Sequence, residues 1–276
     1  HEHFEMKERE GFKITIIEAG KLATHLAKAL HRANHKIECI FSRTKQSAAS
    51  LADTIESAYT TDISELPLVS DLYIIAVPDD VIGSLIPKIP TPLPGIVHTA
   101  GSMDKEILRD VSDNHGILYP LQSFSEDRKI DFKTIPVYIE ASNQDFLDQI
   151  KSLASSISGH IRMVSETQRK ILHLSAVISC NFTNHLFTMS KSLLEENKMD
   201  FNDLKHLISE TVNKSLEIGP ENTQTGPAVR NDMNTIQQHI GMLKKYEKIE
   251  KYSNFSAIYK LLSNDIIHYY KQSTKK

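Results

Sequence analysis

The chain is 276 residues long, 40% hydrophobic and 24% charged, with a formal net charge of −3. That length supports a large core and favours two domains, and the near-balanced charge gives no electrostatic case for nucleic acid or an anionic membrane as partner. Apolar runs such as 72–77 are far too short to cross a bilayer, and the opening HEHFEMKEREGF lacks the apolar core of a signal peptide, so a cytoplasmic protein is expected.

The segment before Phe12 is set aside from the fold, because the chain opens on His1 and Met6 is a candidate native start. From there, β-rich runs at 13–17, 36–41, 58–60, 72–77, 95–99, 117–119, 137–140 and 161–164 alternate with helical stretches at 22–33, 46–55, 81–86, 104–110 and 144–156. Apolar strands separated by amphipathic helices imply βαβ crossovers and a mainly parallel sheet covered on both faces. The expected fold is therefore α/β, a doubly wound Rossmann-like domain over 12–164. Beyond it the strand signal stops, and a period near 3.6 runs through 166–196, 201–217, 233–247 and 256–270. An all-α domain over 165–276 is expected, opened by a capping box of Ser165 and Gln168. Gly219-Pro220 ends one helix and begins a loop over 221–227. Cys39 and Cys180 sit among apolar neighbours in an expected strand and helix, which predicts two buried free thiols rather than a disulfide.

The first strand runs into IIEAGKLATHL. A dinucleotide turn places glycine first for a tight turn, glycine second for close pyrophosphate approach, and a small third residue where helix meets strand. Those positions hold Glu18, Gly20 and Ala23, so two of three fit. Ala19, Gly20, Lys21 and Leu22 are the candidate cofactor-binding residues here; Lys21 adds positive charge beside a phosphate, whereas Glu18 repels one. The alternative is an ordinary strand-turn-helix. The second strand ends in Phe41-Ser42-Arg43-Thr44, with no acid to hold a ribose 2′-hydroxyl. Arg43 suits a 2′-phosphate, with Ser42 and Thr44 hydroxyls beside it, which favours NADP over NAD; a solvated arginine is the plain alternative. At the same sheet edge lie Val77 and Pro78 after the fourth strand, and His98-Thr99-Ala100-Gly101-Ser102 after the fifth. Val77, Pro78, Thr99, Gly101 and Ser102 are expected to line the nicotinamide side, unless both turns are simply strand terminators.

SRT after the second strand, AVPDD after the fourth and HTAGS after the fifth are followed by YPLQSFS at 119–125, LHLSAVISCNFTNHL at 172–186 and QTGPAVRND at 224–232. Together these motifs resemble the bacterial Rossmann-like proteins that carry the C-terminal domain of unknown function 2520. The resemblance implies an NADP- or deazaflavin-dependent oxidoreductase. A more distant similarity to pyrroline-5-carboxylate reductase and 6-phosphogluconate dehydrogenase-type enzymes implies a homodimer through the helical domain. The family usually reads Gly-Ala-Gly-Asn at the first turn, and Glu18 and Lys21 depart from it.

Along 172–186, His173, Val177, Asn181 and His185 are spaced four apart with Asn184 adjoining, and Leu174, Ile178, Phe182 and Leu186 form a neighbouring face expected to supply core. A polar stripe on a buried helix needs partners, and a ligand cleft provides them. His173 is the candidate proton donor, Asn181 the group that orients the reacting atoms, and Asn184 their neighbour; hydrogen bonding to adjacent helices is the competing explanation. Candidate substrate-binding residues are His98 and Gln122 at strand ends, and Thr225 and Arg230 in the loop of the helical domain. Arg230 can clamp a carboxylate or phosphate, or pair with Asp232 or Glu210. The one HxxxH, His31 and His35, reads as a solvated pair, and without HExxH no metal site is expected. No GxSxG, Walker loop or CxxC occurs. The expected activity is hydride transfer between NADP(H) and a small carbonyl, imine or hydroxy compound. The rival is a non-catalytic scaffold that senses a nucleotide or metabolite, or assembles with partners.

Overall fold

A computed structural model describes residues 11–125 and 128–273; Met6 lies outside the described residues. Eight strands form one sheet: β1 (Lys13–Ile17), β2 (Lys36–Phe41), β3 (Ala58–Thr60), β4 (Leu72–Ile75), β5 (Ile96–His98), β6 (His115–Pro120), β7 (Val137–Ala141) and β8 (Ile161–Met163), in the order β3-β2-β1-β4-β5-β6-β7-β8. All neighbours are parallel except β6 and β7. Helices α1 (Lys21–Arg32), α2 (Lys45–Ile55), α3 (Asp79–Leu85) and α4 (Gln144–Ile157) belong to the same body. Between β6 and β7 the described chain makes only a 3₁₀ turn, Phe132–Thr134. A parallel crossover usually runs through an α-helix, and with none among the described residues of this connection β7 returns antiparallel.

The period of two along the strands divides the core into two layers. Ile14 and Ile16 of β1 join Leu26, Leu30 and Phe146 on one side; Ile17, Tyr73 and Ile75 join Ile82 and Leu108 on the other. Ala23, Leu26, Ala27 and Leu30 give α1 its buried stripe at i, i+3, i+4 and i+7. Each fully buried isoleucine in these layers contributes about 2–5 kcal/mol against truncation to alanine. The segment expected as helix at 104–110 is instead a 3₁₀ turn, Lys105–Leu108. Asp104 accepts from Glu106 N, closing the turn locally, and a single turn of helix has too few hydrogen bonds to propagate.

Contacts divide the chain into one unit running through Val177 and a second from Ile178. Helix α5 (Glu166–Ala176) belongs to the first, with the capping box of Ser165 and Gln168 formed in both directions. Val177–Phe182 is wound as a π-helix, so hydrogen bonds there run to the fifth residue and the spacing of four that groups Val177 with Asn181 is not the local repeat.

The second unit is helical: α6 (Thr183–Glu196), α7 (Lys205–Ile218), α8 (Pro220–Thr223), α9 (Met233–Lys244) and α10 (Phe255–Ser273). Gly219 ends α7 at φ 98°, where a side chain would be strained. Two small clusters hold it together, Met189 with Leu243, Tyr252 and Phe255, and Ala228 with Ile236 and Ile240. The face expected to supply core does not do so in the single chain: Leu174, Ile178, Phe182 and Leu186 are all exposed, Phe182 by 59%. The helix carrying them meets too little of its own chain to cover a full apolar stripe. For the same reason Cys180 is exposed; only Cys39, in β2, is a buried thiol. No helix among the described residues is long and apolar enough to cross a membrane.

Candidate functional site

The first turn departs from a glycine loop in a specific way. Glu18 adopts φ 112°, a conformation rare outside glycine. Three hydrogen bonds hold it there: its amide donates to Phe41 O at 2.8 Å, and its Oε1 accepts from Ala19 N at 3.0 Å and Ser42 Oγ at 3.1 Å. The carboxylate is thus folded back to the end of β2. Gly20 remains open, since among the described residues a Cβ there would meet nothing nearer than Glu18 Cγ at 3.9 Å, and Gly20, the residue at the start of α1, has no side chain to cap the amides that follow it. Free amides at a helix start are an anion site. Lys21 is exposed and Leu22 packs against the core. A cavity of about 320 Å³ adjoins the turn, with Lys21, Lys28, His25, Ser47 and Thr54 on its walls. Of the trio after β2, Ser42 is buried and committed to Glu18, Thr44 Oγ1 donates to Ser47 Oγ at 2.8 Å, and Arg43 is exposed.

The second cluster forms where β5 and β6 end against α5. Tyr119 Oη lies 3.1 Å from His173 Nδ1, and the rings meet edge-on at 6.1 Å. Gly101 makes this approach possible: a Cβ on it would stand 2.5 Å from His173 Nδ1 and 2.8 Å from Tyr119 Cζ. Arg169, one helical turn before His173, is fully buried. Its Nε donates to Glu140 Oε1 of β7 at 2.6 Å, and its Nη1 to Gly101 O at 2.7 Å and Ala100 O at 3.3 Å. Its Nη2 is buried without a partner among the described residues. The guanidinium therefore ties the turn after β5 to the helix that carries His173. Burial, reinforced by the Asp79 carboxylate, pushes the Tyr119 phenol up to about 12. Tyr119 accordingly keeps its proton at neutral pH and can act as a donor.

The remaining first-unit residues take distinct places. His98 is fully buried; its Nδ1 accepts from Ala100 N at 3.1 Å and its Nε2 donates to Asp104 O at 3.1 Å. Burial pushes it down to about 4. With both nitrogens committed to its own loop, it braces the turn and has none to offer a substrate. Thr99 donates both its amide and Oγ1 to Ile75 O, and Val77 is buried while Pro78 precedes α3. Ser102 Oγ donates to the Asp79 carboxylate at the α3 start. Gln122 is exposed, its Oε1 accepting from Ser123 N. His35 is not solvated: it is buried, accepts from Phe12 N at 3.0 Å and bonds Ser156 Oγ at 2.8 Å. In the second unit Asn181, Asn184, Thr225 and Arg230 are all exposed. Asp232 caps α9, and hydrogen bonds from Thr235, with the Arg230 charge as a lesser cause, hold it below the usual carboxylate range. No group of three or more His, Cys, Asp or Glu among the described residues is arranged to hold a metal.

Tyr119, Arg169 and Glu140 were not singled out by sequence. The available signals were a lone carboxylate in the apolar run VYIEA and an arginine four residues before His173.

A mainly parallel sheet, a glycine turn opening its first helix and a helical second unit define a Rossmann-like protein with a helical C-terminal domain. Residues 4–122 match the Rossmann-like domain, and residues 135–266 match the domain of unknown function DUF2520. A Bacteroides fragilis protein described as a "putative NADP oxidoreductase" is 38% identical, with 94% of this chain and 99% of that one covered and a TM-score of 0.86. The chain belongs to this family of Rossmann-like proteins carrying domain 2520. Protein TM1727 from Thermotoga maritima shares the fold at 22% identity, with a TM-score of 0.73 over 92% of this chain and 99% of that one. So does a 1-pyrroline-5-carboxylate reductase from Streptococcus pyogenes at 15% identity, with a TM-score of 0.56 over 94% and 99%. No curated protein matches.

Proposed function

We propose that the chain is an NADP(H)-dependent oxidoreductase acting on a small carbonyl, imine or hydroxy compound. The observation that carries this reading is the Tyr119 Oη to His173 Nδ1 contact, closed over Gly101 at the carboxyl edge of the sheet, where open α/β folds bind ligands. The name of the 38% identical relative supports the cofactor class. The residues fit a dinucleotide: Gly20 leaves room for a pyrophosphate, the uncapped start of α1 presents amides to it, and exposed Arg43 suits a 2′-phosphate. When bound, NADP(H) supplies or receives the hydride. Tyr119 holds a proton at Oη for the substrate heteroatom, and His173 returns one through Nδ1. Arg169 fixes the turn against which both side chains rest.

The helical unit is proposed to form a homodimer, since Leu207, Leu216 and Leu261 stand 61%, 82% and 71% exposed on α7 and α10. One observation favours a second reading, a Rossmann scaffold that no longer turns over: Glu18 already occupies the Ala19 amide and the Ser42 hydroxyl. Thermal stability measured against NADPH concentration decides between them. A ligand held only by the folded state adds about 2.7 kcal/mol at a hundred times its Kd, and Arg43→Ala should weaken that shift. No shift at millimolar NADPH, for this chain and for Glu18→Gly alike, overturns the oxidoreductase.

A further inference from the structure

We infer that Glu18 reads the adenosine ribose of the cofactor, so that it opposes Arg43 in the choice between NADP(H) and NAD(H). The inference rests on the dinucleotide-binding reading above and assigns a specificity-determining residue within it. In NAD-selective sites an acid at the end of the second strand accepts the ribose 2′-hydroxyl. Here that position is Ser42, yet a carboxylate is still present: Glu18 reaches across from the first turn, and its Oε1 sits 3.1 Å from Ser42 Oγ. The Glu18 amide is bonded to Phe41 O, the last residue of β2, which fixes the backbone beside the same strand end. The carboxylate therefore stands where the strand-end acid of an NAD site acts, although it comes from another element.

Two further observations fit a functional carboxylate better than an accident of sequence. The backbone at Glu18 is held at φ 112°; such strain persists only when the surroundings over-determine it, and it gathers at ligand sites. The donors on Oε1 are an amide and a hydroxyl, both neutral, and no Lys, Arg or His among the described residues forms an ion pair with Glu18. The carboxylate thus has no ion-pair partner there, and Oε2 accepts nothing from the described residues. A free carboxylate oxygen takes a hydrogen bond from a ribose diol, whereas a 2′-phosphate brings like charge against it. Exposed Arg43, next to Ser42, has the reverse preference.

The test measures Kd for NADPH and NADH by calorimetry on the full chain and on Glu18→Gly, Glu18→Gln and Arg43→Ala, with circular dichroism confirming that each variant is folded. The expected result is a shift of the NADPH-to-NADH affinity ratio of tenfold or more toward NADPH in Glu18→Gly. Glu18→Gln keeps the size and removes the charge, so it should give most of that shift. Arg43→Ala should move the ratio the other way. If Glu18→Gly tightens both cofactors equally, or leaves the ratio unchanged, the ribose assignment is overturned while the oxidoreductase reading stands. If neither cofactor binds to any of the four proteins, both are overturned.

Discussion

Tyr119 on β6 and His173 on α5 are 54 positions apart in sequence and share one hydrogen bond, Oη to Nδ1 at 3.1 Å. The phenol, pushed up to about 12 by burial and by the Asp79 carboxylate, stays protonated through the neutral range. Under the proposed function, this pair is a proton source whose two members work as a unit. Tyr119→Phe and His173→Ala should each lower turnover of a small imine or carbonyl with NADPH by about 10²–10⁴-fold, the range of general acid catalysis. The double variant should be little worse than either single, because groups that act together are not additive. Steady-state kinetics on the three proteins checks this; independent, multiplying losses would separate the two residues.

Much of the first unit is legible in sequence because burial on both faces writes strands as largely apolar runs, as in KITII of β1 and LYII of β4. The α1 stripe and the Ser165–Gln168 capping box are equally local signals. The site is less legible because it depends on register between distant segments. Arg169 and Glu140 are 29 positions apart, and only the placement of β7 beside β6 brings the carboxylate under α5. The π-wound turn at Val177–Phe182 and the exposure of Cys180 escape a reading that assumes one helical repeat and one buried face.

The Arg169–Glu140 pair should be costly to break and much cheaper to replace. Arg169 is fully buried and Glu140 nearly so, so Arg169→Met strands a carboxylate in the interior, at a cost of about 3–5 kcal/mol. Pairing it with Glu140→Gln removes that charge and should recover a large part of the loss. Urea unfolding midpoints of the two variants make the comparison. Equal destabilisation would mean that Arg169 matters through its bonds to Ala100 O and Gly101 O more than through the ion pair.

Gly101 should tolerate no side chain without cost to the Tyr119–His173 contact. The added methyl of Gly101→Ala would lie 2.5 Å from His173 Nδ1, so the turn or the imidazole must move. Overpacking of this kind costs about 1–3 kcal/mol, and a displacement near 1 Å at reacting groups costs about 10²-fold in rate. The expected signature is a fall in kcat well beyond any change in NADPH affinity. An unchanged kcat would show that the turn yields without disturbing Tyr119 and His173.

Stability should decline in mild acid because of His98. Its imidazole is fully buried, donates to Asp104 O, accepts from Ala100 N, and is pushed down to about 4 chiefly by burial. The folded chain therefore favours the neutral ring, whereas the unfolded chain protonates it near 6.5. Between these values the unfolded state binds more protons, so stability rises with pH in that window, is fully present above about 6.5, and falls as pH drops toward 4. The loss from this residue is about 3 kcal/mol at the acid end, the linkage equivalent of moving from near 6.5 to about 4. His35, also lowered by burial, acts in the same direction. Urea unfolding at pH 7.5 and 4.5 measures the loss, and His98→Gln, which has no titrating proton, should be less stable at pH 7.5 yet lose less on acidification. An equal pH dependence in the two proteins would place the acid sensitivity elsewhere.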